Sequence, residues 1–478
     1  MLPVCWNIAS ICGDKALIMS LTTATTNDWW LQLRSFLCLR RIPPEEDNTK
    51  GEDSDPEVDQ SYETNKHVTK DNLKHAKKPN LGEIFVHRTR KVSRKENIST
   101  ALNSLQASLH NLPVKDEKTP KKVDFTLPQD PVNGGTTTSS FWLTSAKKDF
   151  ELKYSSSPSN SSRAKLSDFN PLQTIGTGSF SHVRLVQYRP TGKFHAMKIL
   201  SKKLLISTKQ VDNTLCEKKV LQSASFPFIV TLKYAFKDNS NIYLVLDFVP
   251  GGELLTHVKK SRQGFFPEPQ AAFYASQVVL VFEYLHHLGF IYRDLKPENV
   301  LLDGRGYVKV TDFSFVKRVP GRTYTLCGTP DYLAPEMVLS KGYNAAVDWW
   351  AVGVLIFEMC AGYPPFFGNS QMAIYEKIVD GRVRFPRHFS NKVKSIVGGL
   401  CEADVTKRLG NMKSGVAQIK EHGWFEGMDW VGIFEKRVRP PLIPEYRGRS
   451  DTSNFEGYDE IELKIEKVNQ YEKEFANF

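Results

Sequence analysis

The chain has 478 residues, of which 40% are hydrophobic and 24% are charged. This length allows two or three domains and a folded core. The net charge of +11 is not carried by any compact arginine-rich block, so we predict no nucleic-acid partner. The seven cysteines show no paired spacing, which argues against a zinc site or a disulfide framework. We therefore expect a reducing compartment, the cytoplasm, with the nucleus as a second location.

No stretch of the sequence reaches the roughly 18 apolar residues of a membrane span, so we predict no transmembrane segment. Residues 1–42 are mixed in composition, and residues 43–138 are polar and charged with few aromatic residues. Such a composition buries too little apolar area to offset the ordering of the chain, so we predict a largely disordered extension. The aromatic residues within positions 1–42 leave open a helix that docks on a partner or on a membrane surface.

The pattern changes at Ser139, after which apolar residues recur at mostly three- or four-residue spacing: Phe141, Leu143, Ala146, Phe150 and Tyr154. This periodicity predicts an amphipathic helix, followed by a Ser/Asn-rich linker, within residues 139–168. We predict an α+β domain over residues 169–425, with a small antiparallel-sheet lobe before a large helical lobe. Residues 426–478 are proline-rich and then acidic, which indicates an extended tail.

Within the predicted domain, strand-like runs come first and helical patterns follow. Strands are predicted over residues 172–175, 183–188, 195–199 and 243–248. Helices are predicted over residues 208–223, 252–260, 268–288, 346–361, 370–380 and 390–401.

A glycine-rich turn lies between the first two strand-like runs and comprises Ile175, Gly176, Thr177, Gly178, Ser179, Phe180, Ser181, His182 and Val183. Glycine lets backbone N–H groups approach a phosphate without obstruction by a Cβ atom. A strand after the turn argues against a dinucleotide-binding unit, which would open a helix there. Lys198 on the next strand supplies a cation, and Glu217 on the following helix can pair with it. Such a turn alone is more often an ordinary hairpin. The turn, Lys198 and Glu217 occurring together in this order favour a phosphate site.

The chemistry is predicted in two later runs, Tyr292–Asn299 and Asp312–Ser314. Asp294 would accept or orient the proton of an incoming hydroxyl, and Lys296 would neutralise the transferred phosphate. Asn299 and Asp312 are hard oxygen ligands suited to Mg²⁺. Together these residues predict phosphoryl transfer, achieved mainly by positioning and charge stabilisation. The competing interpretation is a structural Arg–Asp pair in a helix-rich protein.

These residues resemble the eukaryotic protein kinases, and the resemblance runs from about Phe141 to Phe478. Within that superfamily they are similar to the AGC group, and specifically to the catalytic subunits of cAMP-dependent protein kinase. The runs that carry this similarity are Asp294–Asn299, Leu326–Pro330, Ala334–Glu336, Val347–Trp350 and Gly362–Phe367. Lys296, two residues after Asp294, is typical of serine/threonine kinases. The resemblance implies the bilobal protein kinase fold, with ATP and Mg²⁺ as cofactors.

The resemblance also implies roles for other residues. Those expected near the adenine are Val183, Ala196, Leu246, Leu301 and Phe455. Those expected to bind arginines before the target hydroxyl are Glu253, Glu298 and Glu358. Those expected to form an apolar pocket for the following residue are Leu326, Pro330 and Leu333. Thr325 is the expected activation-loop phosphosite, where a phosphate would meet Arg293 and Lys317.

The family further implies protein substrates with basic residues before serine or threonine. It implies two kinds of partner, a cAMP-binding regulatory subunit and a pseudosubstrate inhibitor. Two structural contacts are also expected: a buried pair between Glu336 and Arg408, and docking of the terminal aromatic residues Phe475 and Phe478 on the small lobe.

Four positions depart from the family pattern: Ser181, Asn213, Ser314 and Tyr324. Ser181 and Ser314 replace glycines, and since serine tolerates positive φ poorly, Ser314 is expected to hamper closure of the metal-binding loop. Asn213 replaces a histidine that would reach the phosphosite, and Tyr324 replaces a tryptophan used with regulatory subunits. All charged catalytic residues are present, which favours an active kinase. The alternative is a kinase-fold scaffold that sequesters regulatory subunits or inhibitors.

Overall fold

The computed structural model describes residues 137–156, 164–178 and 180–478. The predicted disordered extension lies outside these ranges except for its last two residues. Part of the predicted linker, residues 157–163, and Ser179 of the glycine-rich turn also lie outside them.

The described residues form nine β-strands: β1 (Phe169–Thr177), β2 (Ser181–Tyr188), β3 (Lys193–Ser201), β4 (Leu232–Lys237), β5 (Asn241–Asp247), β6 (Phe290–Ile291), β7 (Val300–Leu302), β8 (Val308–Val310) and β9 (Lys317–Arg318). They also form eleven α-helices: α1 (Thr137–Ser155), α2 (Lys202–Ser207), α3 (Val211–Ser223), α4 (Leu254–Lys260), α5 (Glu268–His287), α6 (Pro335–Val338), α7 (Ala346–Ala361), α8 (Gln371–Asp380), α9 (Asn391–Leu400), α10 (Ala417–Lys420) and α11 (Trp430–Phe434). None of these helices combines the length and the apolar character that a membrane crossing requires.

The small lobe is an antiparallel sheet of five strands in the order β1-β2-β3-β5-β4. Its register pairs Lys198 with Val183 on β2 and with Leu244 on β5, in the middle of the sheet. The sequence pattern missed β4, whose residues do not alternate between buried and exposed. The helix predicted over 208–223 is α3, which begins three residues later than predicted, because Lys209 just before it has a left-handed φ of 56°. The preceding helix α2 was not predicted.

The large lobe is built around α5 and α7. All residues of α7 are buried, and α5 packs against it in one continuous core. The chain leaves α7 at Gly362, whose φ of 83° suits glycine and whose N–H donates to the Glu358 carbonyl. Because α7 is held on every side, it provides a rigid base for the loops that follow β6 and β8.

Helix α1 packs its aromatic face on both lobes. Phe150 is fully buried, with its ring centroid 5.5 Å from that of Phe290. Trp142, which the spacing pattern did not include, packs edge-on against Phe434 at 4.6 Å. Lys219 of α3 lies 4.2 Å from the centroid of the Tyr154 ring. The predicted amphipathic helix is therefore present, beginning two residues earlier than expected, and it joins α3 to the large lobe.

The tail after α11 has little regular structure and returns to the small lobe. Phe475 is fully buried in a cluster with residues of β3, α2 and β5. Lys218 of α3 lies 4.0 Å from the centroid of the Phe478 ring. The docking of the two terminal aromatic residues on this lobe is thus as predicted.

Candidate active site

Three charged side chains meet between the lobes. Lys198 Nζ lies 2.7 Å from Glu217 Oε1 and 2.8 Å from Asp312 Oδ1. Burial would lower the pKa of Lys198, but the carboxylates of Asp312 and Glu217 outweigh it and raise that pKa above its ordinary value. The predicted pairing of Lys198 with Glu217 is therefore present, and the ammonium group is charged.

Asp312 is held in place by its neighbours in the chain and by Lys198. Its φ is 56°, a left-handed conformation, and the next residue, Phe313, is fully buried with its ring 5.3 Å from that of Tyr292. Burial would raise the pKa of Asp312, but Lys198 and the hydroxyl of Ser314 lower it to about 2. The carboxylate is therefore ionised at any physiological pH.

The backbone leading into the catalytic loop is fixed by α7. Asp348 Oδ2 accepts from the Tyr292 N–H at 2.9 Å, and Asp348 Oδ1 accepts from the Arg293 N–H at 2.8 Å. His286 Nε2 lies 2.7 Å from Asp348 Oδ2. Arg293 has a φ of 73°, and these bonds stabilise that unfavourable conformation. Asp348 lies in the run Val347–Trp350 that resembles the family, but no local sequence pattern indicates this role.

Asp294 lies at the centre of a buried network. Its Oδ1 accepts from Thr329 Oγ1 at 2.9 Å, and its Oδ2 accepts from Asn299 Nδ2 at 3.1 Å. Lys296 Nζ lies 3.4 Å from Asp294 Oδ2 and 3.2 Å from Thr329 Oγ1. Burial raises the pKa of Asp294, although Lys296 opposes the shift. Thr329 comes from a loop 35 residues later, which is why sequence analysis gave it no role.

The chemistry of Asn299 and Asp312 suits their expected role as metal ligands. Asn299 uses its Nδ2 group to donate to the Asp294 carbonyl at 2.8 Å as well as to its carboxylate, so its Oδ1 stays available as a ligand. Asp312 is ionised, and Oδ2 takes no part in the bonds to Lys198 and Ser314. An amide oxygen and a carboxylate are the hard donors that Mg²⁺ prefers.

The glycine-rich hairpin of β1 and β2 lies beside this site in the sheet. The Gly178 N–H donates to the Ser181 carbonyl at 2.7 Å and closes the turn. A Cβ atom added at Gly176 would approach no atom closer than 3.7 Å, and one at Gly178 none closer than 3.4 Å. Packing within the protein therefore does not require glycine at either position, which is consistent with close approach of a ligand.

The other residues predicted around the nucleotide are distributed over both lobes. Ile175 and Leu246 are buried, Val183, Ala196 and Leu301 are half-buried, and Ala196 pairs with Leu246 in the sheet. Thr177 and His182 flank the turn. The ring of Phe180 packs on the cluster that contains Phe475, so only its backbone is available to a phosphate. From the tail, Phe455 stacks on Phe248 with centroids 5.6 Å apart, next to the segment that joins the lobes.

A family model for the protein kinase domain matches residues 169–425. The chain belongs to the protein kinase family. The resemblance inferred from sequence and the predicted bilobal α+β kinase fold are therefore confirmed.

The relatives of this kinase are similar over most of the domain. A cAMP-dependent protein kinase catalytic subunit of Dictyostelium discoideum is 47% identical over 306 residues, which are 64% of this chain and 47% of that protein. Its counterpart in Arthrobotrys oligospora is 47% identical over 317 residues, 66% of this chain and 61% of that protein. The human catalytic subunit PRKX is 45% identical over 295 residues, 62% of this chain and 82% of that protein. The chain thus spans only about half of the first relative and more of the others.

The three predicted substrate carboxylates form one acidic cluster in this kinase. Burial raises the pKa of Glu253 to about 7, and the nearby charge of Glu298 adds to the shift. Burial likewise raises the pKa of Glu358 to about 7, although the Tyr332 hydroxyl donates to this carboxylate and opposes the shift. Two partly desolvated acids that are each repelled by Glu298 favour a cationic ligand. Nearby, Leu333 is buried and Leu326 and Pro330 are half-buried.

The surroundings of Thr325 are basic. Its carbonyl accepts from the Tyr343 hydroxyl, which in turn accepts from Arg293 Nη1 at 3.1 Å. Lys317 Nζ donates to Thr323 Oγ1 at 3.1 Å, two residues away in the same loop. Asn213 donates to Gln210 of its own lobe at 2.6 Å, so the contact that a histidine would supply from α3 is not made.

Ser314 supports the metal-binding loop instead of straining it. Five non-glycine residues in the described parts of the chain have positive φ, and neither Ser314 nor Ser181 is among them. The Ser314 hydroxyl donates to Asp312 Oδ1 at 2.7 Å, and Asp312 already contacts Lys198. The backbone strain expected at Ser314 is therefore absent from this conformation.

We expect Ser314→Ala to raise the Mg²⁺ concentration for half-maximal activity about fivefold, since one hydrogen bond contributes about 1 kcal/mol. A Mg²⁺ titration of phosphate transfer measures this change. Ser414→Ala is the control, because Ser414 is exposed and its hydroxyl makes no hydrogen bond within the described residues. Higher activity in Ser314→Gly than in the wild type would show that the serine impairs the enzyme.

Proposed function

We propose that this chain is an ATP-dependent protein serine/threonine kinase whose targets carry basic residues before the hydroxyl. The observation that carries this proposal is the contact of Lys198 with both Glu217 and Asp312, beside an assembled Asp294 network. Phosphoryl transfer needs a cation for the phosphates, ligands for the metal and a base in one place, and this arrangement brings these three kinds of group together.

In the proposed reaction, Asp294 Oδ2 accepts the proton of the incoming hydroxyl, while Thr329 and Asn299 keep the carboxylate oriented. Lys198 holds the α- and β-phosphates while the hydroxyl oxygen bonds to the γ-phosphorus and ADP leaves, and Lys296 offsets the negative charge on the transferred phosphoryl group. Mg²⁺ bound through Asn299 and Asp312 would neutralise charge on the β- and γ-phosphates. The glycine-rich turn excludes water and adds backbone donors.

Substrate choice would come from the acidic cluster of Glu253, Glu298 and Glu358. Planar guanidinium groups bind paired carboxylates through two parallel hydrogen bonds, so arginine suits this cluster better than lysine. The apolar side chains of Leu326, Pro330 and Leu333, of which Leu333 is buried and the other two are half-buried, favour an apolar residue after the target. The proposed consensus is therefore two arginines shortly before the serine or threonine and an apolar residue after it.

The acidic cluster predicts a pH dependence. Carboxyl groups with a pKa near 7 become neutral as the pH falls from 8 to 6, and they then lose their attraction for arginine. We expect the KM of an Arg-Arg-x-Ser peptide to rise about 100-fold over that interval, because each of the two carboxyl groups is about one pH unit below its pKa at pH 6 and contributes about a factor of ten. Steady-state kinetics at several pH values measure it. A peptide with alanines in place of both arginines is the control, and an equal rise for both peptides would contradict this account.

Regulation is proposed by analogy with the relatives, whose names describe cAMP-dependent catalytic subunits. A cAMP-binding regulatory subunit, or a pseudosubstrate inhibitor, would present arginines to the acidic cluster. Tyr324, Tyr363 and Phe367 are 61%, 44% and 55% exposed and are suited to contact such a partner. We propose a cytoplasmic location, with the nucleus as a second one.

The deciding experiment measures phosphate transfer to an Arg-Arg-x-Ser peptide by the full chain with ATP and Mg²⁺. Replacing both arginines by alanine should lower kcat/KM about 100-fold, about tenfold for each charge-assisted pair. A regulatory subunit should abolish the activity, and cAMP should restore it. Binding of the regulatory subunit without any phosphate transfer would favour the alternative of a non-catalytic scaffold.

A further inference from the structure

Strand β1 contains a break in its pairing that another part of the chain fills. The register between β1 and β2 shifts on both sides of Thr174, which pairs with Arg184. Thr174 is fully buried, so its N–H and hydroxyl need partners within the protein. Those partners come from the tail, 286 residues later: the Thr174 N–H donates to Glu460 Oε1 at 2.8 Å, and its hydroxyl donates to Glu460 Oε2 at 3.1 Å.

The same carboxylate reaches the second strand of the hairpin. Arg184 of β2 donates from Nη2 to Glu460 Oε2. Glu460 therefore bridges β1 and β2 just before the turn that would cover the phosphates. The bonds are charge-assisted, and one of them satisfies a backbone donor that the irregular ladder leaves open.

The tail just before Glu460 is tied to the segment that joins the lobes. We call residues 452–460 the tail strap. Asn454 is buried and donates to the Pro250 carbonyl at 3.1 Å. A Cβ atom at Gly252, whose φ is 70°, would lie 2.2 Å from the Asn454 carbonyl oxygen, so the strap lies directly on this backbone. Phe455, next in the strap, stacks on Phe248.

The strap thus connects two places that a nucleotide in the cleft would touch, the lobe-joining segment and the glycine-rich hairpin. We infer that Glu460 is a positioning residue for the nucleotide, which acts through Thr174 and Arg184 to hold the hairpin over the phosphates. This inference rests on the proposed function, because it assumes that the cleft binds ATP. It assigns Glu460 no contact with the substrate and no part in proton transfer.

The test compares Glu460→Ala and Glu460→Gln with the wild-type full chain. We expect Glu460→Ala to raise the KM and the Kd for ATP about tenfold, with kcat and the peptide KM little changed, because charge-assisted bonds that position the hairpin are lost. Glu460→Gln should lie between, since its amide oxygen still accepts from Thr174 but no longer pairs with a charge. Adding Arg184→Met to Glu460→Ala should produce no further rise.

Glu462→Ala is the matched control, because Glu462 is an exposed acid of the same tail with no hydrogen bond or ion pair among the described residues. Hydrogen exchange of the Thr174 amide gives a second readout that needs no nucleotide. Exchange should be slow in the wild type and in Glu462→Ala, and fast in Glu460→Ala. Equal ATP affinity and equal exchange in Glu460→Ala and Glu462→Ala would overturn the inference. If the wild type binds no ATP while Thr174 is still protected by Glu460, the proposed function fails, and the positioning role fails with it. The contact of Glu460 with β1 and β2 would still be confirmed in that case.

Discussion

Replacing Asp294 by asparagine is expected to lower kcat by roughly 10²–10⁴-fold, the range typical of a lost general base. Asparagine keeps the shape of the side chain and an oxygen that accepts from Thr329, so the loop should stay in place. It cannot take the proton of the incoming hydroxyl. Because Asp294 does not belong to the predicted nucleotide contacts, the Kd for ATP should stay within about twofold, a difference well below 1.4 kcal/mol.

Steady-state kinetics with saturating peptide measure the loss of kcat, and a binding titration measures the affinity for ATP. Asp380→Asn is a suitable control, since Asp380 is an exposed residue at the end of α8 whose one ion pair within the described residues is a loose contact to Arg382 at 3.6 Å. An Asp294→Asn variant with wild-type kcat would mean that proton acceptance by this residue is not needed. A variant that loses ATP binding as well would point instead to collapse of the network around it.

Replacing Arg408 by methionine is expected to lower the free energy of unfolding by about 3–5 kcal/mol, as for other broken buried ion pairs. Arg408 is fully buried, and its two terminal nitrogens lie 2.6 and 2.9 Å from the carboxylate oxygens of Glu336. It also donates to the Ala346 carbonyl at 3.0 Å. Methionine fills a similar volume but leaves Glu336 buried without a counter-charge.

Denaturant unfolding of the full chain measures this effect from the transition midpoint at constant slope. Arg437→Met provides the contrast, because Arg437 is exposed and pairs with Glu435 and Asp429 at the surface, where such pairs contribute little. Combining Arg408→Met with Glu336→Met should recover part of the loss, since no buried charge then remains. Equal midpoints for Arg408→Met and Arg437→Met would show that the buried pair is not needed for stability.

The helices with strong apolar character were predicted well from sequence. The bounds of α7 agree with the predicted range of 346–361, and α5 ends one residue earlier than predicted. Long buried helices carry a dense apolar signal, and this signal depends on neighbours within a few residues. Strand β4 and helix α2 were missed, since short elements at the side of a sheet are formed by contacts with distant residues.

The charged residues of the site were also found from sequence, since Asp294, Lys296 and Asn299 lie within six residues of one another. The partners that orient them were not. Thr329 and Asp348 reach the catalytic loop from other segments, and Glu460 reaches β1 from the tail. The strain expected at Ser314 is not found, since the left-handed conformation lies at Asp312, and residue type alone does not reveal which residue of a turn takes it.

The amino-acid order by itself therefore determined the chemical groups of this kinase, their sequence along the chain and the family they belong to. Charge, hydrogen-bonding capacity and helical periodicity are properties of single residues or of near neighbours. Only the tertiary structure decided that Lys198 contacts both Glu217 and Asp312, that Ser314 stabilises the loop, and that Glu460 completes β1. Those contacts join residues as far as 286 positions apart, and their energies depend on burial and distance, which exist only once the chain has folded.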